Sequence, residues 1–125
     1  PASSKIEHVM KYRLPTEDYD TILYTGLHYV GRDSLLVNSS DAVISIGGRL
    51  GTLHEFTIAM ETETPIGFLE GAGGIGEEIK YILKAAGEDR SKLAIFESDA
   101  TELVAKLTRM LDETHREYRQ LYRDK

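Results

Sequence analysis

Nine consecutive residues have the types and spacing that chemistry needs: Gly47-Gly48-Arg49-Leu50-Gly51-Thr52-Leu53-His54-Glu55. Glycines between a strand and a helix let backbone N–H groups turn toward an anion, and the helix N-terminus adds a favourable partial charge. The stretch therefore reads as a phosphate cradle over residues 48–52. Gly47, Gly48, Arg49, Gly51 and Thr52 form the expected binding set, with the Thr52 hydroxyl as an added donor. Glu55 falls one turn into the helix, near whatever the phosphate is attached to. Thr52-x-x-Glu55 is also a capping box, in which Glu55 merely reaches back to a backbone N–H. Spacing alone leaves capping and ligand chemistry level. No Gly-Lys-Ser/Thr follows, so this is not a Walker loop.

A second glycine run, Gly71-Ala72-Gly73-Gly74-Ile75-Gly76, matches the dinucleotide fingerprint. It follows a strand and precedes a helix, and Glu97 closes the next strand where a ribose-binding acid belongs. Two features argue against NAD. The fingerprint normally opens the first βα unit of its domain, and Glu70 beside the loop repels a pyrophosphate. The other reading is a turn whose backbone approaches a neighbouring ligand, which puts Gly73 and Gly74 in the nucleotide-binding set. Of the four histidines, His8, His28, His54 and His115, none forms a His-x-x-x-His or Glu-x-x-His pair, so no metal and no resident cofactor is expected. His54 and Glu55 are adjacent, which points their side chains apart. His28 and His54 read as polar edges of the pocket or as exposed residues. By residue type alone, Arg32 is an ordinary surface arginine.

These residues need an α/β frame, and the sequence supplies one. Thr21-Ile22-Leu23-Tyr24-Thr25 reads as a strand closed by Gly26, and residues 31–40 as a helix. Ala42-Val43-Ile44-Ser45-Ile46 is apolar on both faces, as a central parallel strand should be. A helix over residues 52–62 follows the first glycine loop. Pro65-Ile66-Gly67-Phe68-Leu69 is a third strand, and the second loop leads into a helix over 75–86 ended by Gly87. Leu93-Ala94-Ile95-Phe96 is a fourth strand. Asp99 then caps an amphipathic helix carrying Leu103, Leu107, Met110, Leu111, Tyr118 and Leu121. Such alternation with short connections predicts a parallel sheet whose ligands bind beyond the carboxyl ends of the strands, where both glycine loops lie.

The 125 residues suit one domain spanning 1–125, and 41% apolar content is enough for one core. No apolar run approaches the ~20 residues of a membrane span. Pro1-Ala2-Ser3-Ser4-Lys5 has no apolar stretch behind it of the secretory kind. The absence of cysteine excludes a disulfide scaffold and thiol catalysis, and a cytoplasmic chain is expected. Fifteen Lys+Arg against twenty-one Asp+Glu give a net charge of −6. A nucleic-acid binder normally shows a basic face. Here the only basic concentration (Arg109, Arg116, Arg119, Arg123, Lys125) is interleaved with Asp112, Glu113, Glu117 and Asp124, the pattern of a solvated helix face. A small phosphorylated molecule is the expected partner, with no nucleic acid and no membrane.

Ser40-Asp41-Ala42-Val43-Ile44 followed by Gly-Gly-x-Gly-Thr-x-x-Glu resembles the Lonely Guy (LOG)-like, Rossmann-related superfamily, long labelled lysine decarboxylases. The family pattern is Pro-Gly-Gly-x-Gly-Thr-x-x-Glu, with an arginine ahead of the strand. Arg32, in Gly31-Arg32-Asp33, occupies that position. The resemblance runs from about Tyr24 onward. It implies a Rossmann-like three-layer parallel sheet, here with about four strands, and a nucleoside-monophosphate site. In the family's enzymes the arginine and the motif glutamate, here Arg32 and Glu55, assist cleavage between base and ribose 5′-phosphate. Ile46 stands where those enzymes have proline, and Asp33 where many have lysine. A bacterial and archaeal branch with Gly-Arg-Asn/Asp and Glu-Gly-x-Gly-Gly-Ile is closer, matched by Glu70-Gly71-Ala72-Gly73-Gly74-Ile75.

Two functions stay open on this resemblance. One is a phosphoribohydrolase, in which Glu55 stabilises the oxocarbenium-like ribose or orients water while Arg32 grips the phosphate or helps the leaving base. The other is a non-catalytic carrier or sensor of a phosphorylated cofactor such as molybdopterin, since the superfamily also contains molybdenum-cofactor carriers. LOG-like proteins begin with a βαβ unit, and residues 1–20 do not read as one. Residues 42–46 would then present an unpaired apolar edge, a template for aggregation unless covered. The expectation is a C-terminal portion of a longer protein, or an edge closed by a second subunit in a homo-oligomer, dimer or higher.

Overall fold

Residues 6–116 and 118 are described by a computed structural model of the chain. Leu121 and Tyr122, expected on the last helix, lie outside them, as does the side chain of His8. A short helix α1 (Ile6–Lys11) precedes α2 (His28–Asn38), β1 (Val43–Ser45), α3 (Leu50–Glu61), β2 (Ile66–Leu69) and α4 (Gly76–Ala86). A 3-10 turn (Glu88–Leu93), β3 (Ala94–Glu97) and α5 (Ala100–Thr114) follow. The three strands are parallel in the order β1-β2-β3, with Val43 opposite Ile66 and Ile66 opposite Ala94.

Alternation along β2 assigns the layers. Ile66 and Phe68 face one way and are buried with Phe56, Ala59 and Met60 of α3 and Ile79 and Leu83 of α4. Phe68 stacks on Phe96 at 5.1 Å and meets Phe56 edge-on at 6.0 Å. Gly67 faces the other way. A Cβ there would stand 2.7 Å from Leu107 Cδ1 and 2.8 Å from Leu103 Cδ1, so the missing side chain lets α5 lie directly on the sheet. Helices on both faces of a parallel sheet make a three-layer, Rossmann-like α/β arrangement. The Asp99 cap forms as expected, its Oδ1 accepting the Glu102 N–H at 2.9 Å.

Two expectations need correction. Residues 21–25 form no strand: the segment is irregular, and Leu23 points into solvent. β-branched composition favours a strand only where a neighbouring ladder receives it, and this run pairs with nothing among the described strands, so the sheet has three strands and not four. The capping box is absent as well. α3 begins at Leu50, so Thr52 is its third residue and not its N-cap, and the N-cap Arg49 makes no side-chain capping bond. Among the described residues β1 pairs only with β2, which leaves Ile44 half exposed and Ile46 69% exposed along the outer edge. No helix among them is long and apolar enough to cross a membrane.

Candidate functional site

The β1–α3 loop reaches its shape through two glycines. Gly47 and Gly48 have φ of 70° and 105°, a region that L side chains rarely adopt. A Cβ on Gly48 would stand 2.0 Å from Thr52 Oγ1, so the threonine hydroxyl leans over the loop. The first intrahelical bond of α3 runs from Leu53 N–H to the Arg49 carbonyl, 3.1 Å. The N–H groups of Leu50, Gly51 and Thr52 therefore belong to the first turn, whose donors lack helical acceptors. No acidic residue occupies that turn. Arg49 and Gly51 are both exposed, and a Cβ on Gly51 would meet nothing within 4 Å.

Gly73 and Gly74 belong to the neighbouring β2–α4 loop, and that loop docks backbone to backbone on the first. The Ile75 N–H donates to the Gly48 carbonyl at 3.1 Å, and a Cβ on Gly74 would stand 2.4 Å from the same oxygen. Gly74 is thus required by the contact between loops. Gly73 adopts φ of 73° in open space. The acids of the apparent dinucleotide fingerprint are engaged elsewhere: Glu97 with Lys106, and Glu70 with Lys80. These pairings, with Glu77 and Glu78 in the first turn of α4, argue against a pyrophosphate there.

The packing of α2 on α3 brings four charged or titratable side chains together. Arg32 Nη2 lies 3.9 Å from Glu55 Oε1 and 3.4 Å from Asp33 Oδ1. Asp33 Oδ2 lies 2.9 Å from His54 Nδ1. Asp33 is buried at 3% exposure, whereas Arg32, His54 and Glu55 are partly open to solvent. Burial raises the pKa of Glu55 above its ordinary 4.5, the Asp33 carboxylate raises it further, and Arg32 and His54 pull it back down. Glu55 follows Thr52 by three residues and so lies on the same helix face, about one turn along α3.

The structure brings Arg32 to Glu55 and Thr52 over the loop, and sets Gly74 against the Gly48 carbonyl. Sequence reasoning offered His54 as a polar edge of the pocket or an exposed residue, and missed Asp33 and its contact with His54. The signal was present as two adjacent pairs, Arg32-Asp33 on one helix and His54-Glu55 on the next. When two such helices pack, each basic side chain can face the other helix's carboxylate. Among the described residues no group of three or more His, Asp or Glu side chains is placed to hold a metal.

The comparisons agree with the fold. The X-ray structure of TM1055, a structural genomics target, is similar, with a TM-score of 0.60 and 26% identity. The match covers 77% of this chain and 61% of that one, so the chain spans less than two thirds of that protein's length. No curated protein matches. The SLOG cluster4 family matches residues 1–104, and the chain belongs to that family, a LOG-like group whose membership points to nucleotide-related binding or processing.

Proposed function

We propose that the protein binds a nucleoside monophosphate, with the phosphate on the first turn of α3 and the ribose beside Arg32 and Glu55, and hydrolyses the bond between base and sugar. The observation that carries this reading is the 3.9 Å approach of Arg32 to Glu55 from two different helices, one turn from a glycine-shaped, uncapped helix N-terminus. The first turn offers backbone donors and no acidic side chain, which favours an anion. Glu55, raised toward neutrality by burial and Asp33, is a better proton acceptor than an ordinary surface carboxylate. Departure of the base builds positive charge on the ribose, and the Glu55 carboxylate is the group to offset it.

Incubation with a panel of nucleoside monophosphates, scored for free base and ribose 5-phosphate, tests the reading. Release of base from at least one supports it. No turnover, together with no change in melting temperature, overturns both hydrolysis and binding. Gly48→Asp, which meets Thr52 and places a carboxylate in the cradle, should abolish binding. A Glu55→Gln variant that still binds and has lost nothing measurable identifies the non-catalytic carrier instead. Assembly belongs to the same proposal: a second copy closing the outer side of β1 predicts a dimer or larger in light scattering. A stable 14.0 kDa monomer overturns that part.

A further inference from the structure

A carboxylate removed from water requires partners, and Asp33 has an unusual set. Its Oδ2 meets His54 Nδ1 at 2.9 Å, while its Oδ1 accepts no hydrogen bond and lies 3.4 Å from Arg32 Nη2. A carboxylate can only accept, so the imidazole proton stands on Nδ1, and Nε2 is the nitrogen left for other work. His54 is 40% exposed along its side chain while Asp33 is nearly enclosed, so the ring edge away from Asp33 is the one open to a ligand. Asp33 thus connects two side chains: Arg32, which faces Glu55, and His54, which follows Thr52 by two residues and precedes Glu55.

We propose that His54, held by Asp33, is the proton donor to the departing base, opposite Glu55 as the proton acceptor for the attacking water. This rests on the hydrolytic reading above. In the step, which starts from the doubly protonated ring, the C1′–N bond breaks and its electron pair goes to the base nitrogen, which takes the Nε2 proton of His54 and leaves the Nδ1 proton on Asp33's side. The water oxygen bonds to C1′ and its proton passes to Glu55. Solvent then carries one proton from Glu55 back to His54, so the cycle consumes the nucleotide and one water and yields free base and ribose 5-phosphate. Consecutive residues on a helix point about 100° apart, which suits an acid and a base serving two sides of one bond. His54 is a catalytic residue in this scheme, and Asp33 is a positioning residue that acts through it. The charged groups around His54 are Asp33 from α2, at 2.9 Å, and Glu55 from its own helix, while Arg32 lies beyond Asp33 and against Glu55.

The test uses the whole 125-residue chain and adenosine, guanosine, cytidine and uridine 5′-monophosphates as probes. With whichever is cleaved, His54→Gln is expected to lower kcat by about 10²-fold with little change in KM, and to remove the alkaline limb of the pH–rate profile. Asp33→Asn should move that limb to lower pH, because the imidazolium loses its carboxylate, and Asp33→Glu should restore part of the loss. Because Asp33 is buried and its variants can fail to fold, the half-exposed His54→Gln variant decides the matter. A His54→Gln protein with wild-type kcat and an unchanged pH profile overturns this inference and leaves the hydrolytic reading standing. A wild-type protein that cleaves none of the four probes overturns that reading, and this inference with it.

Discussion

The two glycine loops share a pattern in sequence and differ in what they can hold. Both follow a strand of the same parallel sheet, both use glycines at positive φ, and both open a helix on the same face. The first leads into a helix whose initial turn carries no acid, and whose second turn presents His54 and Glu55 to Arg32 and Asp33. The second leads into Glu77 and Glu78, beside Glu70 already paired with Lys80, and one of its N–H groups is taken by the first loop's carbonyl. Glycine spacing therefore marks a backbone shape. The side chains of the first turn and the neighbouring helix decide whether that shape holds an anion or supports another loop.

The largest expected effect separates the loops by chemistry. Glu55→Gln should lower turnover by about 10²-fold or more, the usual scale for loss of a positioned acid–base group. Glu77→Gln, at the matching end of α4, should leave turnover unchanged. Comparable losses in both variants would break the distinction between a ligand loop and a supporting loop.

The next effect separates them by packing. Gly73 and Gly74 have nearly the same φ, 73° and 76°, but only Gly74 meets the Gly48 backbone. Gly73→Ala carries backbone strain alone, about 1 kcal/mol. Gly74→Ala adds a clash with an atom that cannot swing away, and should cost about 3 kcal/mol in urea denaturation. If the first loop is the cradle proposed above, the variant should also weaken nucleotide binding, because it displaces that loop. Equal losses of stability would mean that the loops are not mechanically joined.

Much of this was legible from sequence because it depends on local pattern. The alternation of apolar runs with helical segments located β1, β2, β3 and the four longer helices within a few residues, and Asp99 announced its own cap. The Arg32–Glu55 pair followed from a resemblance that carries long-range information no local rule supplies. What failed was tertiary. Residues 21–25 have strand composition but no ladder to join, and Thr52-x-x-Glu55 has capping letters but sits three residues past the N-cap of its helix. The Asp33–His54 contact spans 21 positions and joins two different helices, which no local spacing rule connects. A partner on α2 gives His54 and Glu55 each its own destination.

A third effect concerns the cost of keeping Glu55 charged. Its folded-state pKa lies above its ordinary 4.5, first because burial penalises the charge and then because Asp33 is near. Between the unfolded and folded values the native protein binds more protons than the unfolded chain, so stability falls as pH rises through that window. The penalty is fully present above the folded pKa and absent well below 4.5. Glu55→Gln should therefore unfold at a higher temperature than wild type near pH 7, with the gain shrinking as pH falls toward 4.5. A gain that stays constant with pH would assign the effect to packing and not to charge.

The smallest effect isolates a glycine that the fold does not need. Gly51 lies in the first turn of α3 with no positive φ, and a Cβ there meets no atom of the chain. A glycine in a helix costs about 0.5–1 kcal/mol relative to alanine, so its presence lowers stability with no structural return. In the second loop every glycine at positive φ has a backbone reason to be glycine; Gly51 has none. On the proposed reading its reason lies with the anion, which would come close to the N–H groups of the turn and leave no room for a methyl group. Gly51→Ala should raise the melting temperature slightly and weaken the binding of nucleoside monophosphate. If the variant gains stability and binds as well as wild type, the phosphate does not approach this turn, and the cradle must be placed nearer Gly47 and Gly48.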